Sequence, residues 1–155
     1  MRRREFIAGL GGAAAWPVVA RAQQGDRVRR IGVLTGLDEN DADAKARISA
    51  FTQALADLGW TDGRNVRIAP RWASGDIDRM RALAHELVGL QPDIILTQGA
   101  TATVAVQRET RTIPIVFASL GGDPVASGIV PRLDRPGGNV TGFASNEASL
   151  GGQVA

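Results

Sequence analysis

No cysteine occurs anywhere in the 155 residues. That excludes a disulfide framework, a thiolate metal site, a cysteine nucleophile and a lipoprotein anchor cysteine. It fits an oxidising compartment and a reducing one equally well. Histidine and lysine are almost as scarce, with His85 and Lys45 the single examples. His85 falls mid-helix beside Glu86 with no evident catalytic partner, so a helix-surface role suits it better than acid–base chemistry. Aromatic residues make up 5% of the chain, and the core implied by its 44% apolar content must therefore be mainly aliphatic. The G-x-S-x-G elbow, the Walker A loop, H-E-x-x-H and the EF-hand loop are all missing. We therefore expect no enzyme, no metal site and no cofactor.

What is present begins with charge. The isoelectric point of about 10.3 resembles that of a nucleic-acid-binding protein, but the basic excess is local. Arg2, Arg3, Arg4 and Arg21 lie in the first 22 residues against Glu5 alone. Setting that segment aside leaves 14 of the 18 basic and 15 of the 16 acidic residues, a net charge of −1. Arginines elsewhere are scattered, so no DNA or RNA footprint is expected.

The first 22 residues read as an export signal. Arg2-Arg3-Arg4 form a positive head, Ile7 to Ala20 a weakly apolar stretch, and Ala20-Arg21-Ala22 a small-x-small cleavage site before Gln23. Arg3-Arg4-Glu5-Phe6-Ile7 is similar to the twin-arginine motif, whose pathway exports folded proteins to the periplasm. The apolar stretch is too short to span a membrane, so no spanning segment is expected once the signal is removed. A frayed basic terminus would explain the arginines alone, but not the ordered sequence of head, apolar stretch and cleavage site. Gly9, Gly11 and Gly12 follow no strand, which argues against a dinucleotide fingerprint.

From residue 28 onward the pattern alternates strand and helix. Arg30 to Thr35 is a short apolar run that ends at Gly36, as in a buried strand. Asp38, Asn40 and Asp41 supply helix-capping acceptors. Ile48, Phe51, Leu55 and Leu58 then recur at helical spacing, and the spacing predicts that all four face inward until Gly59 stops the helix. Residues 65–73 read as a second strand, placed at a sheet edge by Pro70. A second helix opens at Gly75-Asp76 with Met80, Leu83, Ala84 and Leu87 on one face. Strands follow at 93–97, 113–118 and 140–143. Between them the pattern predicts helices over 101–110 and, more briefly, over 125–133, with a turn at Pro136-Gly137-Gly138-Asn139. The fold class is α/β: a doubly wound, Rossmann-like parallel sheet with expected strand order 2-1-3-4-5.

In such folds ligands bind beyond the carboxyl ends of the strands, where loops vary freely and helix N-termini aim unpaired N–H groups. Three loops qualify. They supply the candidate ligand-binding residues Thr35, Gly36, Leu37 and Asp38; Gly99, Ala100 and Thr101; and Ser119, Gly121 and Asp123. Glycines let backbone approach a solute, and small polar groups can cradle a carboxylate. Taken singly, each of these residues also has an ordinary use in a tight turn or cap. Asp123 before Pro124 looks like a helix start, and Trp60 and Trp72 look like packing residues rather than stacking platforms.

Several stretches together resemble one family. They are Gly59-Trp60-Thr61-Asp62-Gly63-Arg64-Asn65-Val66, Gln91-Pro92-Asp93-Ile94-Ile95-Leu96, Thr112-Ile113-Pro114-Ile115-Val116-Phe117, Asp123-Pro124-Val125-Ala126-Ser127-Gly128 and Arg135-Pro136-Gly137-Gly138-Asn139-Val140-Thr141-Gly142. Their order and spacing resemble ABC transporter substrate-binding proteins of the tryptophan/tyrosine-binding type. The resemblance implies the first lobe of a two-lobe, type I periplasmic binding protein. Such a protein closes over a small polar solute, an amino acid among the best-known cases, and docks on the membrane permease subunits of an importer. Two departures stand out. Ala100-Thr101 replaces the Thr-Pro usual after the glycine, which shifts a hydroxyl suited to a carboxylate. The chain also reaches Ala155 where the second lobe is expected to begin, so residues 23–145 make the N-terminal lobe and 146–155 a truncated crossover.

Three alternatives are weighed. A truncated, non-functional piece of such a receptor follows from the missing closure. A nucleotide-binding or flavodoxin-like enzyme needs a phosphate loop after the first strand, where Asp38 would repel phosphate. A regulator's sensor domain needs a DNA-binding helix pair in place of the export signal.

Overall fold

The computed structural model describes residues 27–144 apart from Gly122, Leu133 and Pro136. The expected export signal over 1–22 and the expected crossover over 146–155 lie outside the described residues. Within them the elements are β1 (Arg29–Thr35), α1 (Ala42–Asp57), β2 (Val66–Trp72), α2 (Ile77–Gly89), β3 (Ile94–Gln98), α3 (Ala100–Glu109), β4 (Ile115–Leu120) and β5 (Val140–Ala144). All five strands pair in parallel in the order β2-β1-β3-β4-β5, the expected arrangement. Pro70 lies on β2, an edge strand, where a missing N–H removes no bond from a second neighbour.

Helix starts follow the predicted chemistry. Asp41 accepts from the amides of Asp43 at 2.8 Å and Ala44 at 3.0 Å. Asp76 accepts from those of Asp78 at 2.9 Å and Arg79 at 3.0 Å. Each satisfies two of the donors that a helix leaves open, and such a cap contributes about 1 kcal/mol.

Right-handed crossovers put α1 on one face of the sheet and α2 with α3 on the other. On the two-helix face, Met80, Ala84 and Leu87 of α2 and Ala102 and Val106 of α3 close a core with Leu34, Ile95, Ile115, Phe117 and Val140. Gly142 passes so near Phe117 on β4 that an added Cβ would overlap that residue's carbonyl and ring. The α1 face is thinner. Ala44 is that helix's only buried residue, and Ile48, Phe51 and Leu55 are half-buried. Among the described residues this face leaves Ile94 37% and Phe143 78% exposed.

Three expectations change. Leu58 is 76% exposed rather than inward, because α1 ends at Asp57 and Leu58 is its C-cap, off the helical stripe. The predicted helix over 125–133 is a turn over 124–128. Gly128, at φ 68°, ends it after one cycle of bonds from Ser127 and Gly128 amides back to Asp123 and Val125 carbonyls. Trp60 is 40% exposed and so packs less than expected.

Candidate functional site

The loops after β1, β3 and β4 converge at the carboxyl end of the sheet, because parallel strands all deliver their chains to the same edge. The first is braced from the β2–α2 connection: Ala73 N–H donates to Thr35 O at 3.0 Å, Ser74 N–H to Leu37 O at 3.2 Å and Gly75 N–H to Gly36 O at 2.8 Å. Asp38 completes the brace. Its carboxylate accepts from Asn40 N–H at 2.8 Å and from the Ser74 hydroxyl at 2.9 Å. The Asn40 amide, followed by the Ser74 hydroxyl, holds this carboxyl below its ordinary range.

The second loop is a one-residue turn. Gly99 adopts φ 86°, ψ 159° and is the N-cap of α3, yet it offers no side-chain cap. The first-turn amides of Ala100, Thr101 and Ala102 therefore keep the open donors of a helix start. Two buried threonines fix that turn. The Thr103 hydroxyl donates to Gly99 O at 2.9 Å, so in its 2.8 Å contact with Thr97 it is the acceptor and Thr97 the donor. Gly99 N–H donates across to Ala118 O at 3.3 Å. The third loop follows β4, whose register with β5 shifts at Ser119, a residue that is exposed and left-handed at φ 53°.

These loops enclose a crevice of about 260 Å³. Thr35, Gly36, Leu37, Gly99, Ala100, Thr101 and Ser119 line it. Asp38, Gly121 and Asp123 do not: Asp38 is spent on the brace, and Asp123 accepts from Val125 N–H at 2.8 Å to start the following turn. Four lining residues lay outside the sequence expectation: Arg47, Met80, Gln98 and Ala102. Arg47 is the one cation among the lining residues, and no carboxylate among the described residues lies within ion-pair distance of it. Its position was legible in part, since it lies three residues after Ala44 and beside the inward stripe of α1, though it is itself exposed. Gln98 was legible from alternation: it follows Ile94 and Leu96 on the α1 face of β3.

A larger cavity, about 780 Å³, opens at the opposite end, beside Arg27, Arg30, Arg67, Leu87 and Leu90. There α2 ends in carbonyls, and Arg30 Nη1 donates to Leu90 O at 3.4 Å. That end presents helix C-termini rather than open amides, so volume alone does not make it the solute site. His85 has a partner that the sequence did not reveal, Glu109 Oε2 at 2.9 Å from its Nδ1, on an exposed surface. No helix among the described residues is long and apolar enough to cross a membrane.

The family model described as ABC transporter substrate binding protein matches residues 30–155. The tyrosine-binding protein of Clostridioides difficile is 33% identical over 114 residues, which is 74% of this chain and 32% of that protein. Among solved structures, a conserved domain protein from Vibrio cholerae superposes with a TM-score of 0.71 at 27% identity, covering 77% of this chain and 39% of the other. The ABC domain from Streptococcus pneumonia in complex with L-Trp gives 0.69 at 26% identity, over 76% and 38%. A ligand-free, open substrate-binding protein with adhesive properties from Clostridium difficile gives 0.69 at 29%, over 76% and 39%. This chain thus spans about a third of the length of the curated relative that it matches.

Proposed function

This chain belongs to the ABC transporter substrate-binding protein family, and from that premise we propose that it holds a small polar solute carrying a carboxylate, with an amino acid as the leading class, for delivery to the permease of an importer. The observation that carries the reading is the pairing, in one crevice, of the uncapped start of α3 with Arg47. Open helix amides and a guanidinium both favour an anion, and together they fix a carboxylate from two directions. The neighbours that bind tyrosine and L-Trp support the amino-acid class. Capture needs no bond-making, so we propose no chemistry and no enzymatic role. The expected export signal supports a periplasmic location.

The described sheet makes one lobe, and the crevice is open above it. A receptor of this kind encloses its solute between two lobes that close by a hinge. One lobe buries part of the solute and leaves the rest in water, so its affinity is expected to be weaker than micromolar. The test is a titration of the isotope-labelled chain, followed by NMR, with L-tyrosine and L-tryptophan and with tyramine and tryptamine, which lack the carboxylate. The two amino acids should shift the Ala100, Thr101 and Ala102 amides, and Arg47→Gln should weaken that response about fivefold or more. Equal shifts from the two amines, or none from any of the four, would sink the reading.

A further inference from the structure

Among the described residues, Oε1 of Gln98 is the one buried side-chain polar atom without a hydrogen-bond partner. No polar group around it comes within hydrogen-bond reach. Thr97 and Thr103 satisfy each other and Gly99 on the opposite face of β3. Thr35, beside Gln98 in the β1–β3 register, takes the Leu37 N–H on its hydroxyl oxygen at 3.2 Å. Ala118, the neighbour on β4, has no polar side-chain atom. An orphaned acceptor is costly, and a leucine or methionine in its place would fill the space at no such cost. A cost of that kind in a folding unit is found where function requires it. Gln98 also lines the crevice, and the loose torsion of its terminal carboxamide allows Oε1 to turn toward it.

Resting on the function proposed above, we infer that Gln98 is a specificity-determining residue: its Oε1 accepts a hydrogen bond from an N–H or O–H group of the solute. The crevice then reads two features at once. The α3 amides and Arg47 take an anion, and Gln98 takes a donor beside it. Solutes that offer a carboxylate and a nearby ammonium or hydroxyl are favoured. A carboxylate without such a donor leaves the acceptor unpaired and is discriminated against.

Two measurements on the full chain decide the point. In the absence of solute, Gln98→Met, which keeps the volume, and Gln98→Leu are compared with the wild type by thermal unfolding. At least one should raise the midpoint by roughly 4 °C, because the orphan is removed. If neither raises it, Oε1 has a partner in the folded protein and the inference is overturned. In the second measurement, L-tryptophan and indole-3-propionate, which keeps the carboxylate but lacks the ammonium, are titrated and read at the Ala100–Ala102 amides. Wild type should prefer L-tryptophan, and Gln98→Met should cut that preference about tenfold. An unchanged preference overturns the inference even if stability rises. If neither probe moves those amides in the wild type, the carboxylate reading of the site fails and the specificity role of Gln98 is overturned with it, whatever the midpoints show.

Discussion

Asp93 gathers the amino-terminal edge of the sheet through one side chain. Its carboxylate accepts from the Arg30 amide at 2.8 Å, meets Arg29 Nη1 at 3.3 Å, and pairs with Arg27 at 3.1 Å. The Arg30 N–H, with the Arg27 and Arg29 guanidiniums, holds this carboxyl below its ordinary value of 3.8. A carboxyl whose folded pKa is depressed contributes stability that is full above its unfolded pKa and is lost as pH falls through its folded pKa. Asp93→Asn should therefore unfold more easily than wild type at pH 7. The gap should shrink as pH drops below about 4 and close under stronger acid. Urea unfolding of both proteins from pH 7 to pH 2.5 checks this, and a gap that stays constant would show that the carboxylate charge is not what holds the edge. Asp38 carries a contrasting lesson. The sequence marks it as a ligand candidate because its glycine-containing loop follows the carboxyl end of β1, yet Ser74, 36 residues away, claims it for the brace. No local pattern announces that contact.

Helix α3 presents open amides because its N-cap is glycine. Most helices are capped by a side-chain oxygen, as Asp41 and Asp76 do for α1 and α2. Gly99 cannot, and its φ 86°, ψ 159° lies in a region essentially reserved for glycine. An added Cβ at this position meets no atom within 4 Å, so a substitution acts through backbone conformation alone. Gly99→Ala should cost about 1–3 kcal/mol in urea unfolding, whereas Gly121→Ala, exposed and outside the left-handed region, should stay within about 0.5 kcal/mol. Equal effects of the two would mean that the turn is not held in the glycine-only conformation. Alternation and turn residues made this element legible in the sequence, with helix starts at 100 and 77 close to the expected positions. The failed helix at 125–133 shows the limit: Gly128 stands where a helix would have to continue, and the buried Ile129 and Val130 are better served by a loop that turns into the core.

At the scale of the molecule, one parallel sheet carries a core on its two-helix face and a thinner layer on the α1 face. From the first 22 residues we propose that the same chain leaves the cytoplasm folded. That reading predicts a result independent of the solute. Residues 1–30 fused to a reporter that fluoresces in the periplasm only when exported folded should deliver it there, and Arg3→Lys with Arg4→Lys should retain it inside. Delivery unaffected by the double substitution would rule out the twin-arginine route and leave the general export pathway.

The sequence by itself determined the alternation of strand and helix, the edge position of β2 through Pro70, and the three loops that meet at one end. Each follows from local chemistry: periodic apolar residues, missing N–H groups, and glycines that alone tolerate a conformation. Tertiary structure decided which loop residues share the crevice. It turned Asp38 into a brace, left Leu58 in solvent, brought Arg47 of α1 to the crevice, and buried the Gln98 oxygen with no partner. Those outcomes depend on distances between residues far apart in the chain, which close only when the crossovers pack.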